Sequence, residues 1–163
     1  ACQLREKHQD FSNSILIGIQ PRGAVLVKRL LSILKQEDHL EAIEHGFLDI
    51  TFFRDDFRRS KKVLSAKKNL MDVSLENKKV VLIDDVLYTG RSVRAALTAI
   101  DSYGRPSEIE LLTLIDRRFS RHLPIQPDYL GRQVDAFADE KVLVHWQEEQ
   151  GEDAVYIINK TNE

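Results

Sequence analysis

Apolar residues are distributed along this chain in two alternating patterns. Ser14-Ile-Leu-Ile-Gly-Ile19 is a continuous apolar run rich in β-branched residues, and it stops at Gln20-Pro-Arg-Gly23, where proline and glycine break regular structure. The pattern predicts a buried strand followed by a tight loop. From Ala24 onward Val27, Leu30, Leu31 and Leu34 recur at spacings of three and four, which predicts a helix with one buried face running to about Gln36. Phe47 to Arg54 is predicted as a second strand. The segment from Asp55 to Asn77 is polar, lysine-rich and without clear period; a stretch of that length inside a compact domain is expected to be a lid. Lys79-Val-Val-Leu-Ile-Asp84 predicts the next strand, and Val93, Ala96, Leu97 and Ile100 predict a helix from Arg91. That helix ends by Tyr103-Gly-Arg-Pro106, because Gly104 suits a left-handed position past a helix end and Pro106 cannot continue one. Glu108 to Ile115 follows as a strand.

Strands alternating with helices imply a mostly parallel sheet joined by right-handed crossovers. Beyond residue 116 the pattern changes: Asp128 to Gly131, Lys141 to Trp146 and Ala154 to Ile158 are short strand-like pieces between polar turns. They predict a small β-rich hood over about 116–163. The expected fold class is therefore α/β, with a mostly parallel central sheet flanked by helices, in a single domain over 1–163. Ala1 to Asp10 reads as the tail of a helix without an initiating methionine, so further residues are expected upstream. No internal repeat or low-complexity segment interrupts the pattern.

Composition narrows the class. Hydrophobic residues at 42% and charged residues at 31% are ordinary for a globular domain. Cys2 is the only cysteine, which leaves neither an intrachain disulfide nor a thiolate metal cluster and suits a reducing compartment. A cytoplasmic location is expected, since no apolar run approaches the ~20 residues that span a bilayer. A formal charge of -2 argues against a protein that coats nucleic acid without specificity, while leaving room for one basic face.

The densest chemistry lies where the Lys79 strand ends. Asp84 and Asp85 follow an apolar run directly, and Thr89-Gly-Arg-Ser92 opens the next helix after Val86-Leu-Tyr88. Small residues at a helix N-terminus let backbone N–H groups approach a phosphate, and the hydroxyls of Thr89 and Ser92 add donors. Carboxylates ahead of such a cradle suit sugar hydroxyls or a magnesium-linked diphosphate. Alone, the turn is more often a helix cap and the acids more often solvated; together they describe a site for a phosphorylated sugar. Neither G-x-x-x-x-G-K-[ST] nor G-x-G-x-x-G occurs in the chain. His8, His39, His45, His122 and His145 are not paired at metal-ligand spacing and default to solvated or structural roles. Trp146, after an apolar strand, reads as core rather than as a stacking platform.

Val81-Leu-Ile-Asp-Asp-Val-Leu-Tyr-Thr-Gly-Arg-Ser92 resembles the phosphoribosyl-diphosphate motif of type I phosphoribosyltransferases. Its Asp-Asp-Val-Leu-Tyr-Thr-Gly-Arg core is most similar to that of the bifunctional pyrimidine-operon regulator/uracil phosphoribosyltransferases. The similarity extends through Ile17 to Gly23, Asp49 to Asp56, Gly104 to Ser107, Leu123 to Ile125, Asp128 to Gly131 and Glu140 to Val142, although the family's first helix is missing or shortened. The resemblance implies that Asp84 and Asp85 hold the ribose hydroxyls. It also implies that Tyr88, Thr89, Gly90, Arg91 and Ser92 bind the phosphoribosyl diphosphate (PRPP), Thr89 to Ser92 wrapping its 5-phosphate. Gln20, Pro21, Arg22 and Gly23 would form the diphosphate loop, with Arg22 facing the leaving group, and the lid would exclude water. Mg2+ would arrive bound to the substrate, with Asp84 and Asp85 as contacts.

The base is expected under the hood near Asp116, Arg117, Lys141 and Val142. Purine-salvage relatives carry an aspartate where this chain has Tyr88, so uracil is the expected base and UMP the product, with purine salvage as the alternative. RNA binding to pyrimidine-operon leader transcripts is implied as a second function, expected at Arg118, Arg121 and Arg132 beside Arg117 and His122. Gln126, Pro127 and Phe119-Ser120 depart from the family pattern there, which keeps open both an enzyme without that role and an attenuator with little catalysis. A homo-oligomer, dimer or higher, is expected.

Overall fold

The computed structural model describes residues 1–38, 40, 42–54 and 73–159. A short helix, α1 (Cys2–His8), precedes strand β1 (Ser14–Ile19), and α2 (Arg22–Asp38) leads to β2 (Glu44–Leu48). After a 3-10 turn at Thr51–Phe53 come β3 (Lys79–Leu87), α3 (Arg91–Ile100), β4 (Glu108–Arg118) and β5 (Tyr129–Asp135). The described chain ends with β6 (Glu140–His145), α4 (Gln147–Gln150) and β7 (Ala154–Asn159). Five strands form one sheet in the order β2-β1-β3-β4-β5, every neighbouring pair parallel, and β6 pairs antiparallel with β7 in a separate ribbon.

The two helical patterns bury opposite faces of this sheet. Leu26, Val27, Leu30, Leu31 and Leu34 of α2 pack with Leu16, Val81, Ile83 and Trp146, while Val93, Ala96, Ala99 and Ile100 of α3 pack with Ile15, Ile17, Val80 and Leu82. Each such fully buried aliphatic side chain contributes roughly 1.5–3 kcal/mol. Because successive strand residues face opposite ways and both faces are covered, the middles of β1 and β3 are apolar at consecutive positions, which is why they read as runs rather than alternations. Trp146 is core, as expected. Leu97, predicted on the buried face of α3, lies at its exposed margin.

Three boundaries are corrected. Helix α2 begins at Arg22, two residues before the apolar repeat, because Gly23 can lie directly on β3. The strand predicted over Phe47 to Arg54 is instead Glu44–Leu48. Asp49 Oδ1 accepts the Thr51 N–H at 2.8 Å and the Thr51 hydroxyl at 2.5 Å, and this local bonding turns the chain out of the ladder. Residues 55–72 of the expected lid lie outside the described residues, but Leu75 is fully buried and its N–H donates to the Tyr103 carbonyl at 3.0 Å, so 73–77 belongs to the core margin.

The hood is also smaller than predicted. β4 runs on to Arg118, and β5, which contains the piece expected from Asp128 to Gly131, joins the main sheet beside it. Asp128 and Leu111 lock that register reciprocally: the Asp128 N–H donates to the Leu111 carbonyl, and the Leu111 N–H donates to Asp128 Oδ2, both at 2.8 Å. Only β6 and β7 form the separate ribbon. Among the described residues, no helix is long and apolar enough to cross a membrane.

Candidate active site

The carboxyl ends of β1 and β3 meet the start of α2, the position where open parallel sheets bind ligands. The close approach rests on Gly23: a Cβ there would stand 2.2 Å from the Ile83 carbonyl oxygen. The Gln20–Pro21 peptide is cis and leads straight into the helix. Arg22, in its first turn, donates from Nη1 to Asp85 Oδ2 at 3.3 Å and to the Val144 carbonyl of β6 at 3.1 Å. One guanidinium therefore ties the predicted diphosphate loop to a sheet acid and to the hood ribbon.

Asp84 and Asp85 do not act as a matched pair. Adjacent strand residues point to opposite faces, so Asp85 turns to Arg22 while Asp84 lines a cavity of about 360 Å3 on the other side. Burial pushes the Asp84 carboxyl above the usual carboxylate range, and the neighbouring Asp85 charge adds to the effect. Burial raises Asp85 as well, opposed by the Arg22 charge. A buried acid beside an Arg22-paired neighbour at one strand end is suited to a cation or to sugar hydroxyls. Among the described residues no cluster of three or more metal-ligating side chains exists.

The same cavity is lined by Thr89, Gly90, Arg91 and Ser92, with Tyr88 at its rim. Gly90 sits at φ 88° immediately before α3, a left-handed conformation that favours glycine. The turn thus places the helix N-terminus and two hydroxyl side chains around the space that Asp84 faces. Arg54 and His122 also line it, and neither was singled out for that place by the sequence. His122 is brought there by its chain: its N–H donates to the Thr89 carbonyl at 3.0 Å. That contact between distant segments has no local signature.

The predicted base-site residues divide into two groups. Arg117 is buried, its guanidinium lies 4.1 Å from the centre of the Tyr88 ring, and its Nη2 donates to the carbonyls of Phe137 and Glu140 at 3.1 and 3.2 Å. It thereby joins Tyr88 to the start of the hood, and its buried Nε has no hydrogen-bond partner. Lys141 and Val142 stand next to Glu140 on β6, with Val142 packed into the core. Asp116, at the end of β4, has both oxygens engaged: Oδ1 pairs with Arg121, and Oδ2 accepts from Gln133 Nε2 at 3.2 Å.

The arginines expected to form a basic face are largely paired. Arg118 makes a two-pronged contact with Asp135, at 2.5 and 2.6 Å, and Arg121 points inward to Asp116 and to the Tyr88 carbonyl. Arg132 is exposed on β5. Between these residues lies a wider hollow of about 620 Å3 containing Phe119, Gln126, Pro127 and Leu130. Of the histidines, His8 is structural: it is buried between Ser14, Glu110 and Tyr129. His39 lies outside the described residues.

Comparison with known proteins converges on one family. The phosphoribosyl transferase domain family matches residues 1–149. The bifunctional protein PyrR of Synechocystis sp. is 42% identical over 158 residues, covering 97% of this chain and 87% of that protein. The bifunctional protein PyrR of Clostridium novyi is 38% identical over 160 residues, with coverage of 98% and 89%. A hypoxanthine phosphoribosyltransferase from Staphylococcus aureus superposes with a TM-score of 0.64 at 22% identity over 92% of this chain and 77% of its own. A purine phosphoribosyltransferase from Pyrococcus horikoshii superposes with a TM-score of 0.58 at 21% identity, covering 82% and 80%. At those identities the two structures establish the shared α/β fold.

Proposed function

The chain belongs to the phosphoribosyl transferase domain family, alongside the bifunctional PyrR proteins, and from that premise we propose that it transfers phosphoribose from PRPP to uracil, releasing diphosphate and forming UMP. The observation that carries this reading is that Asp84 and the Thr89–Ser92 turn line one cavity at the carboxyl end of β3, with Arg22 bonded to Asp85 on the adjoining face. The turn would take the 5-phosphate, Asp84 and Asp85 the ribose hydroxyls, and Gln20 to Gly23 the diphosphate, with the Arg22 guanidinium directed at the leaving group. Asp84 and Asp85 would be the residues to hold a magnesium ion brought in with the diphosphate, and the ion would supply neutralisation of the leaving group's charge. Arg22 and the helix N-terminus then stabilise charge that is already positioned, the form of catalysis that needs least reorganisation.

Tyr88 supports the choice of base. It offers no carboxylate to a purine N7, and its ring is held by Arg117 above the start of the hood, where backbone groups near Lys141 and Val142 would read the edge of a pyrimidine. Asp116 would border the base site without direct contact, since Arg121 and Gln133 already take its two oxygens. The test is a panel of bases with PRPP and magnesium, scored by diphosphate release: uracil is expected to lead, and a purine in that place overturns the assignment.

Regulation of pyrimidine-operon transcripts is the second function in this reading, on the ground that the relatives are named bifunctional. Exposed Arg132 would be its main phosphate contact, with Arg118 and Arg121 contributing less because carboxylates already neutralise them. A homo-oligomer completes the proposal: Leu130 on edge strand β5 and nearby Phe119 are apolar and exposed, a surface that a second copy would cover.

A further inference from the structure

Tyr88 to Gly90 is a turn whose two successive carbonyls are both held from behind. Arg121 Nη1 donates to the Tyr88 carbonyl at 2.5 Å, and the His122 N–H donates to the Thr89 carbonyl at 3.0 Å. Both peptides are trans, since among the described residues the cis bond is Gln20–Pro21. In a planar trans peptide the C=O and the following N–H point in opposite directions. Pinning the two carbonyls toward 121–122 therefore aims the N–H groups of Thr89 and Gly90 the other way.

Arg121 is itself held against swinging. Its Nη2 pairs with Oδ1 of Asp116, which is buried and whose other oxygen is taken by Gln133. Asp116 lies opposite Leu87 in the β3–β4 ladder, so the anchor stands on the sheet beside the strand that delivers the turn. The segment after Arg121 closes the back of the turn sterically: a Cβ on Gly90 would stand 3.2 Å from Ile125 Cδ1 and 3.3 Å from Leu123 Cβ. A turn with a glycine at φ 88° has conformational freedom to lose, and this support removes it before any ligand arrives.

We propose that Arg121 is a positioning residue for the phosphate-binding turn, bridging buried Asp116 to the Tyr88 carbonyl so that the Thr89 and Gly90 N–H groups are preset toward the 5-phosphate. The proposal rests on the phosphoribosyl reading of this cavity. It separates Arg121 from the exposed arginines near it: its charge is spent inside the protein, on the geometry of the turn. Arg121 needs no contact with substrate, and its loss should act on the 5-phosphate alone, leaving the diphosphate loop at Gln20–Gly23 intact.

The experiment compares two probes on the full chain, ribose 5-phosphate for the turn and magnesium diphosphate for the Arg22 loop, by calorimetry with the wild type, Arg121→Met and Arg121→Lys. Arg121→Met should weaken ribose 5-phosphate by about ten- to a hundred-fold, the range for losing a charge-assisted hydrogen bond, with magnesium diphosphate changed less than about two-fold. Arg121→Lys should fall between the wild type and Met, because an ammonium lacks the planar fork that serves two acceptors. In turnover, KM for PRPP should rise by the same factor while KM for uracil holds. Equal weakening of both probes would mean a general structural defect and overturn the proposal, as would unchanged ribose 5-phosphate affinity in Arg121→Met. If Arg121→Met does not fold, Arg121→Lys decides: wild-type affinity for ribose 5-phosphate there overturns the proposal. A wild type that binds neither probe would instead remove the phosphoribosyl reading itself.

Discussion

Arg22 and Asp85, far apart in sequence, meet at 3.3 Å where the start of α2 lies against the end of β3, and the same Arg22 nitrogen reaches the Val144 carbonyl of the hood ribbon. This contact joins the start of α2 to the end of β3, and it partly offsets the burial that raises the Asp85 carboxyl. Removing the Asp85 charge should therefore cost catalysis more than folding. Asp85→Asn is expected to lower turnover by roughly ten- to a thousand-fold, the range for a charged contact that strengthens in the transition state. Diphosphate release with PRPP and uracil, alongside a thermal melt, checks it; near-wild-type turnover in a folded variant would take Asp85 out of the mechanism.

Gly23 is the structural condition for that contact. A methyl group at this position would stand 2.2 Å from the Ile83 carbonyl oxygen, a backbone atom that cannot turn aside. Gly23→Ala should cost about 1–3 kcal/mol and lower Tm by about 3–10 °C. It should also reduce transfer below what stability explains, because Arg22 is the next residue. A melt together with turnover well below the variant's Tm separates the two effects.

Base selection is expected to depend on Tyr88, whose ring the Arg117 guanidinium covers. With Tyr88→Asp the Arg117 guanidinium loses the ring it covers at 4.1 Å and faces a carboxylate instead. Uracil transfer should fall at least about ten-fold, the scale of one mismatched buried polar contact. Wild-type uracil kinetics in this variant would disconnect Tyr88 from the base site.

His8 links acidity to stability. Its Nε2 lies 2.8 Å from Glu110 Oε2 and its Nδ1 lies 2.8 Å from the Ser14 hydroxyl, an arrangement suited to a neutral ring that donates to the carboxylate and accepts from the hydroxyl. Burial, and then the charges of Lys7 and Lys79, lower its pKa from 6.5. The unfolded chain therefore takes up a proton near 6.5 that the folded chain resists. The resulting stability is complete above that pH and is lost as pH falls below it, until the folded pKa is passed. Tm should decline from about pH 7 to about pH 5, and the decline should be shallower in His8→Gln. Parallel profiles for the two proteins would exclude His8 as the source.

RNA affinity, where present, should depend on Arg132 more than on Arg118, since Asp135 already grips Arg118 with two oxygens. Arg132→Ala should flatten the dependence of log affinity on log salt by about one phosphate contact, and Arg118→Ala by less. Titrations of a labelled pyrimidine leader transcript at several salt concentrations measure both slopes. A larger effect from Arg118→Ala would show that its ion pair opens on binding.

The elements nearest the chemistry were legible in the linear chain because their causes are local. An apolar run such as Val80 to Ile83 can only be a strand covered on both faces, and the turn from Thr89 to Ser92 can only follow it closely. The resemblance of Val81 to Ser92 carried the family for the same reason: the turn at the end of β3 is built from consecutive residues. Contacts that cross the sheet were invisible. Nothing around Asp116 announces that Arg121 and Gln133 fill both its oxygens, and nothing around Arg118 announces Asp135, so their charges read as free. Asp128 to Gly131 read as hood because a short strand has no mark of its sheet; the reciprocal bonds between Asp128 and Leu111 assigned it. Local sequence sets backbone propensity and burial period, whereas which charges meet is decided by the ladder register and the crossovers, and those exist only once the sheet has assembled.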